Sequence, residues 1–389
     1  MNILKSSLPL ILITAFLDIL GMGILIPILP DIIIHFGVNE SWNPYSQGIY
    51  SIGMFIGGLL FGRLSDRFGR KNLLVVTSAF NLIGYVIVWL ALSTSLLSLP
   101  LSLMFLIFLA GRMIGGLGGS GYGVVQAYIA DISTSENRAK NMGMIGAMFG
   151  LGFLVGPAIG GLLGRYGGTQ SVLLACIFAI ALNFLLIVFL LPEPKKHQKE
   201  MMKENTPFRF TSLTITLLGL SFGASLAFSS VQSGMGQVTH DVFGFSADQI
   251  GYTMVVVGLV AIIYQGALMK YVRAYFSEIE MVRGALLVMM ISLGFFAINT
   301  SPILVYVIVG LFPLAMGTFQ PGINSLIASK AGKEVGKVMG YNTSVTSIAG
   351  IIGPFIVGTL YHRGPMIPFV ASSVFAFLMF LVSVTLLKK

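Results

Sequence analysis

Charge and cysteine are both scarce in this sequence. Asp, Glu, Lys and Arg together make up 10% of its 389 residues, and Cys176 is its one cysteine. A single cysteine excludes a disulfide framework or a cysteine zinc site within the chain. Hydrophobic residues make up 56% of the sequence and its mean hydropathy is +0.91. A soluble fold could not cover so many apolar side chains with polar ones, so the composition predicts a membrane protein.

Long apolar runs recur along the whole chain and predict an all-α protein with twelve transmembrane helices. The period-two alternation of a transmembrane barrel is not seen. Asp18 interrupts the first run and no Ala-x-Ala site follows it, so we expect a first span and not a cleaved signal. In chain order the predicted spans are 8–29, 45–62, 72–93, 100–128, 142–164, 170–191, 211–235, 247–269, 282–299, 301–328, 338–360 and 365–387.

The basic residues predict the orientation of the chain. Among 23 Lys and Arg, Arg165 and Arg363 fall in odd-numbered loops and Arg112 falls inside span 4. The others lie in the even-numbered loops and the two tails, which places both termini in the cytoplasm. We therefore attribute the formal charge of +9 to basic residues that set the orientation of the chain and contact anionic lipid headgroups. We expect no nucleic-acid partner.

The most polar stretch divides the chain into two sets of six spans. It covers 192–210, is charged and is flanked by proline, so we interpret it as a cytoplasmic linker between halves 1–191 and 211–389. GFLVGPAIGG at the end of span 5 matches AGIIGPFIVG at the end of span 11. Matching halves of the same orientation are typical of secondary transporters, which bind substrate near the middle of the membrane.

A cluster of charge follows span 2, in the stretch GRLSDRFGRK. Its glycines allow a tight turn and close helix approach, and its acid could bind a neighbouring helix start or a basic residue and so latch one conformation. The simpler alternative is a positively charged topological anchor. The candidate residues are Gly62, Asp66, Arg67, Gly69, Arg70 and Lys71.

This stretch resembles, at every defining position, the loop signature of the major facilitator superfamily. LDILGMGILIPILP in span 1, GRMIGG in span 4, GLGFLVGPAIGG in span 5 and LPEP after span 6 are similar to motifs of its twelve-span drug:proton antiporters, which include the tetracycline exporters. The resemblance covers essentially the whole chain. It implies the major facilitator fold, with two pseudo-symmetric six-helix halves, in a protein of the bacterial cytoplasmic membrane that exports small molecules by alternating access. We expect the protein to be a monomer.

Asp18 and Arg112 are the candidate proton-coupling residues. A charged side chain within the bilayer is costly and is a functional candidate by default. The resemblance supports Asp18, since the first-span acid is a functional position in related exporters. A buried guanidinium needs a carboxylate or carbonyl partner, so we expect an Asp18–Arg112 interaction that changes with protonation. The alternatives are a structural hydrogen bond for Asp18 and a fixed pair.

Two further sets of residues are candidates for conformational change and substrate contact. Small residues in span 5 allow either gating flexibility or close static packing, and the antiporter motif consists of Gly146, Gly152, Gly156, Pro157, Gly160 and Gly161. Polar residues within spans either line a substrate cavity or join helices by hydrogen bonds. These are Asn81, Tyr122, Gln126, Gln232, Gln237, Gln320 and Asn324.

The sequence departs from the tetracycline exporters at two positions. Their acids in spans 3 and 9 are replaced by Gly84 and by the apolar surroundings of Val288, so tetracycline is not expected as the main substrate. The leading hypothesis is a proton-coupled exporter of drugs or metabolites. The alternatives are an exporter of an anionic metabolite or siderophore, or a uniporter or lipid flippase without proton coupling. No motif of a membrane enzyme is present, and we expect no cofactor or metal.

Overall fold

The computed structural model describes residues 7–39, 41–93, 99–133, 137–194, 211–330 and 335–387. Within these ranges the regular elements are helices. A membrane interior offers no water to backbone N–H and C=O groups, and a helix satisfies them within one segment. The predicted all-helical fold is confirmed.

Before residue 195 the chain forms the helices Ser7–Leu25, Leu29–His35, Trp42–Phe68, Arg70–Ala91, Leu101–Gly119, Gly121–Ile132 and Arg138–Phe189. The first two are joined by the 3-10 turn Ile26–Ile28. Pro27 and Pro30 explain this interruption, because a proline has no N–H for the helical ladder. Span 1 is therefore one interrupted rod from Ser7 to His35.

The helix Arg138–Phe189 contains two predicted spans. Its 52 residues would extend about 78 Å at 1.5 Å per residue, far more than the ~30 Å hydrocarbon core of a bilayer. Gly168 breaks it with a φ of 67°, a conformation that suits glycine. The break falls between the predicted spans 142–164 and 170–191.

After residue 210 the helices are Ser212–Phe243, Ala247–Ile263, Met269–Tyr275, Glu278–Ile298, Pro302–Val309, Leu311–Lys330, Val335–Tyr361 and Ile367–Leu386. A π-helical turn, Tyr264–Leu268, continues the second of these into the third. Gly244 ends the span 7 helix in the left-handed conformation. A capping box of Ser277 and Glu280 begins span 9.

Ten stretches of the described helices are long and apolar enough to cross a membrane. One of them, Gly150–Phe189, holds predicted spans 5 and 6. The second predicted span lies in the helix Trp42–Phe68, which is not among the ten. Every one of the twelve predicted spans therefore corresponds to helix in the structure.

The chain divides into two compact units. The first contains the described residues up to 194 together with Phe245–Val255, and the second contains the remaining described residues. In the first unit span 1 packs on span 5, span 3 on span 4 and span 3 on span 6. In the second unit span 7 packs on span 11, span 9 on span 10 and span 9 on span 12. This equivalent packing agrees with the matching motifs of spans 5 and 11.

The predicted linker 192–210 is only partly visible. Residues 195–210 lie outside the described part of the chain. The segment Phe245–Val255, which we expected to belong to the second half, packs with the first unit.

Candidate functional site

The carboxylate of Asp18 is held by two amide side chains in the first unit. Asn183 Nδ2 donates to Asp18 Oδ1 at 2.9 Å, and Asn81 Nδ2 donates to the same oxygen at 3.4 Å. Among the described residues no cation lies within ion-pair distance of this acid. Asp18 is therefore an intramembrane acid whose described hydrogen-bond partners are neutral.

Arg112 is buried in span 4, with 6% of its surface exposed. Its Nη2 donates to Gln47 Oε1 at 2.7 Å. The ring of Tyr50 covers the face of the guanidinium, with its centroid 4.7 Å from Cζ. Gln47 and Tyr50 both come from the span 2 helix, three residues apart, so they lie on one face of it.

The expected ion pair between Asp18 and Arg112 is not formed in this structure. Amides satisfy the acid, whereas an amide and an aromatic ring accompany the arginine. Tyr50 and Tyr85 lie within electrostatic reach of both charged groups. The two residues thus belong to one polar region, and whether they pair after a change of protonation stays a prediction.

A small cavity lies beside Arg112. It has a volume of about 10 Å³, which is room for about one water molecule. Its walls come from spans 1, 2, 3 and 4. The lining residues are Leu25, Tyr50, Asn81, Gly84, Tyr85, Val88, Gly111, Arg112 and Gly115.

One face of the antiporter motif brings span 5 against span 1. A Cβ added at Gly156 would lie 2.9 Å from Gly23 Cα, and one added at Gly152 would lie 2.7 Å from a methyl group of Ile19. A Cβ at Gly160 would collide with the backbone of Ile24. These glycines therefore let two backbones approach closely, and they fix the position of the helix that carries Asp18.

The other face of the motif contacts the first turns of span 8. A Cβ at Gly161 would lie 2.9 Å from Asp248 Cα, and one at Gly251 would lie 2.6 Å from the carbonyl oxygen of Pro157. Arg165 Nη1 donates to Asp248 Oδ2 at 2.7 Å at the same contact. Span 5 thus holds the segment Phe245–Val255 in the first unit. The sixth motif residue, Gly146, is described only as a position in a helix.

The charged stretch after span 2 is helical and not the loop we expected. The span 2 helix continues to Phe68, the span 3 helix begins at Arg70, and Gly69 alone makes the turn with a φ of 95°. Only glycine adopts such a conformation readily, which is why one residue suffices. Arg67 is exposed at the end of the helix, with its guanidinium 5.4 Å from the Phe68 ring centroid.

A carboxylate does cap a neighbouring helix here, but it belongs to Glu193 of the LPEP motif. Its two oxygens accept from the backbone N–H groups of Arg70 at 2.6 Å and Lys71 at 3.0 Å. Arg70 also donates from Nε to Asp131 at 2.8 Å and bonds Ser65. Positive charge at a helix N-terminus favours such an anion. The first unit therefore ties the ends of spans 2, 3, 4 and 6 together.

The expected role of Asp66 in this cluster is not decided by the structure. The Asp66 side chain lies outside the described part of the molecule, and Gly62 is described only as a helical position. The latching function of the stretch stays a prediction.

The predicted cavity residues do not form one group. Asn81 lies at the Asp18 site, whereas Tyr122 and Gln126 bond each other elsewhere in span 4. In the second unit Gln232 is exposed, Gln320 is half-buried and Asn324 Oδ1 accepts from Asn342 at 3.2 Å.

Gln237 binds Asp241, and both residues lie beyond the predicted end of span 7 at residue 235. Gln237 Nε2 is 2.8 Å from both carboxylate oxygens of Asp241, which also accepts from Tyr361. Because the span 7 helix extends to Phe243, Asp18 is not the only acid on a helix of membrane-spanning character.

Sequence reasoning missed Asn183, Gln47, Tyr50 and Glu193 as site residues. Asn183 is the single amide in the apolar run 172–191, and this isolation was the available signal. Gln47 and Tyr50 share a helix face, a pattern that is visible only once the span is assigned. Across the described residues no group of three or more His, Cys, Asp or Glu side chains could hold a metal ion.

Comparison with known proteins identifies the family of the chain. The family model of the Major Facilitator Superfamily matches residues 11–354. Multidrug resistance protein 1 of Bacillus subtilis (strain 168) is 27% identical over 374 residues, which cover 95% of this chain and 93% of that protein. Tetracycline resistance protein, class E, of Escherichia coli is 27% identical over 376 residues, which cover 92% and 88%.

A solved structure shares the fold. The D-xylose-proton symporter superposes with a TM-score of 0.77 at 18% identity, covering 99% of each chain. With the family model matching most of the sequence, the conclusion is direct: this multi-pass membrane protein is not an enzyme but a transporter that belongs to the Major Facilitator Superfamily.

Proposed function

We propose that the protein is a proton-coupled exporter of small amphipathic compounds, in which Asp18 carries the coupling proton. The observation that carries this proposal is the Asp18 site, where a membrane-embedded carboxylate has two amide donors and no cationic partner among the described residues. The names of the relatives, which are resistance proteins for several drugs, support export.

The surroundings of Asp18 suit reversible protonation. An ionised carboxylate within the membrane is costly without an opposite charge, so the neutral form is within reach. The two amides stabilise the ionised form through Oδ1, which leaves Oδ2 to accept the proton.

The energetics are sufficient for export. A membrane potential contributes about 2.3 kcal/mol per elementary charge and 100 mV, which is more than a tenfold concentration ratio requires. We expect the protein to work as a monomer, in a bacterial cytoplasmic membrane with both termini in the cytoplasm. The missing acids of spans 3 and 9 argue for substrates other than tetracycline.

The test uses everted membrane vesicles with an imposed pH gradient. Lipophilic cations, neutral drugs and carboxylates are added in turn, and dissipation of the gradient is followed for wild type, Asp18→Asn and Glu280→Gln. We expect at least one compound to release protons through wild type and Glu280→Gln but not through Asp18→Asn.

Glu280→Gln is the matched control because it removes a carboxylate from the first turn of a helix while Gln can still form a capping box. Equal proton release in wild type and Asp18→Asn would refute the assigned role. Transport of labelled compound without any proton movement would favour uniport or lipid flipping.

A further inference from the structure

Arg112 is an unusual cation because none of the ion pairs formed by the described residues includes it. It is 6% exposed, and among the described residues its hydrogen-bond partner is the neutral amide of Gln47. Removing a guanidinium from water costs several kcal/mol unless a counter-charge or a full set of acceptors replaces the water. The site therefore holds uncompensated positive charge.

One donor of this guanidinium is unused. Among the described residues the buried Nε of Arg112 has no hydrogen-bond partner, although Nη2 on the same edge donates to Gln47 at 2.7 Å. The Tyr50 ring covers one face of the group, and the unused N–H of Nε points along the plane of the guanidinium. An in-plane approach to Nε and Nη2 is the geometry in which arginine binds a carboxylate with two hydrogen bonds.

A small space adjoins Arg112. The cavity of about 10 Å³ that it lines holds about one water molecule, and a Cβ at Gly115, which also lines it, would meet nothing nearer than 3.8 Å. One carboxylate oxygen, which is about the size of a water molecule, fits this volume, whereas a whole substrate does not. Tyr50 and Tyr85 give the cavity an aromatic wall.

We propose that Arg112 is the subsite for the carboxylate of an anionic amphipathic substrate, with Nε and Nη2 binding its two oxygens. This inference rests on the proposed export function and names a class of substrate for it. Gln47 occupies the place of this carboxylate when the site is empty of substrate.

The experiment measures equilibrium binding to the purified full-length protein in nanodiscs, without any gradient. The probes are dansylglycine, an amphipathic carboxylate, and dansylglycinamide, its uncharged amide. Because a hydrogen bond to a charged group is the stronger kind, we expect dansylglycine to bind wild type about tenfold more tightly than the amide.

Three variants test the assignment to Arg112. Gln47→Glu gives the arginine a permanent carboxylate partner at the observed 2.7 Å contact, and it should abolish the preference while amide binding persists. Gly115→Ala should do the same by filling the cavity. Arg273→Gln is the matched control, because it removes an exposed arginine of the second unit and should leave the preference unchanged.

Each outcome decides the proposal. Loss of the preference in Gln47→Glu with retained amide binding supports it, and retained amide binding also shows that the variant is folded. Equal affinity of both probes for wild type would overturn it and leave the cavity as a site for water only. Proton coupling is measured separately in the vesicles with Asp18→Asn, so failure of the carboxylate subsite and failure of the proposed export function are distinguishable.

Discussion

The contact between spans 1 and 5 yields a prediction whose magnitude follows from the structure. A Cβ at Gly156 would stand 2.9 Å from Gly23 Cα. An ordinary carbon contact begins at about 3.4 Å and packs best at 3.5–4.0 Å, so Gly156→Ala must separate two helix backbones by about half an ångström. Overpacking of this kind typically costs about 1–3 kcal/mol.

A second glycine-to-alanine variant serves as a control for the difference in helix propensity between the two residues. Alanine is favoured over glycine in helices by up to about 1 kcal/mol, which partly masks the clash at Gly156. Gly219 in span 7 has nothing within 4 Å of an added Cβ, so Gly219→Ala should show the propensity gain alone. The difference between these two variants therefore isolates the overpacking cost. Gly152→Ala should also be destabilising, because its nearest neighbours are Cγ2 and Cβ of Ile19 at 2.7 and 2.9 Å, atoms that lie close to the backbone.

The assay is thermal unfolding of the purified protein in detergent, combined with transport in vesicles. Gly156→Ala should unfold several degrees below Gly219→Ala and transport more slowly, since the displaced helix carries Asp18. Equal unfolding temperatures for these two variants would refute the close approach of spans 1 and 5.

Three further outcomes are expected. Glu193→Ala removes two hydrogen bonds from the start of span 3, and it should lower the free energy of unfolding by about 0.5–2 kcal/mol. Thermal unfolding measures this loss, and Glu193→Gln, whose amide oxygen can still accept a hydrogen bond, should lose less stability than Glu193→Ala. Arg165→Gln should destabilise the first turns of span 8 around Asp248, so hydrogen–deuterium exchange of residues 249–252 should become faster. Unchanged exchange would contradict the idea that Arg165 holds this segment in place. Cys176 is buried, so it should not react with an impermeant maleimide. This reagent should label Arg165→Cys in intact cells, and it should label Arg67→Cys only after the membrane is permeabilised. The reverse labelling pattern would overturn the predicted orientation.

Much of the fold could be predicted from the sequence because hydropathy reports directly on the membrane. The twelve apolar runs all became helix, and LIPILP, with its two prolines, marks the interruption of span 1. Helix ends were harder to predict, because charged residues such as Arg67 can extend a helix beyond the apolar core. Gly69 then turns the chain alone, where a loop of several residues was expected.

The candidate site was predicted in its charged residues and missed in its neutral ones. Asp18 and Arg112 are conspicuous because charge is rare within spans. Their partners Asn183 and Gln47 are ordinary polar residues whose importance depends on which helix faces meet, and a single sequence does not encode that visibly. The expected ion pair assumed that opposite charges in one region must touch, whereas in this structure amides bind the acid, and an amide and an aromatic ring accompany the arginine.

The central claim is that Asp18 carries the proton that exchanges for substrate. It is tested most directly by adding a cationic or neutral compound, active in the vesicle assay, to purified protein in a weakly buffered solution and recording pH. Wild type should release protons as the compound binds, and Asp18→Asn should bind the compound without release. Equal proton release from both proteins would contradict the account.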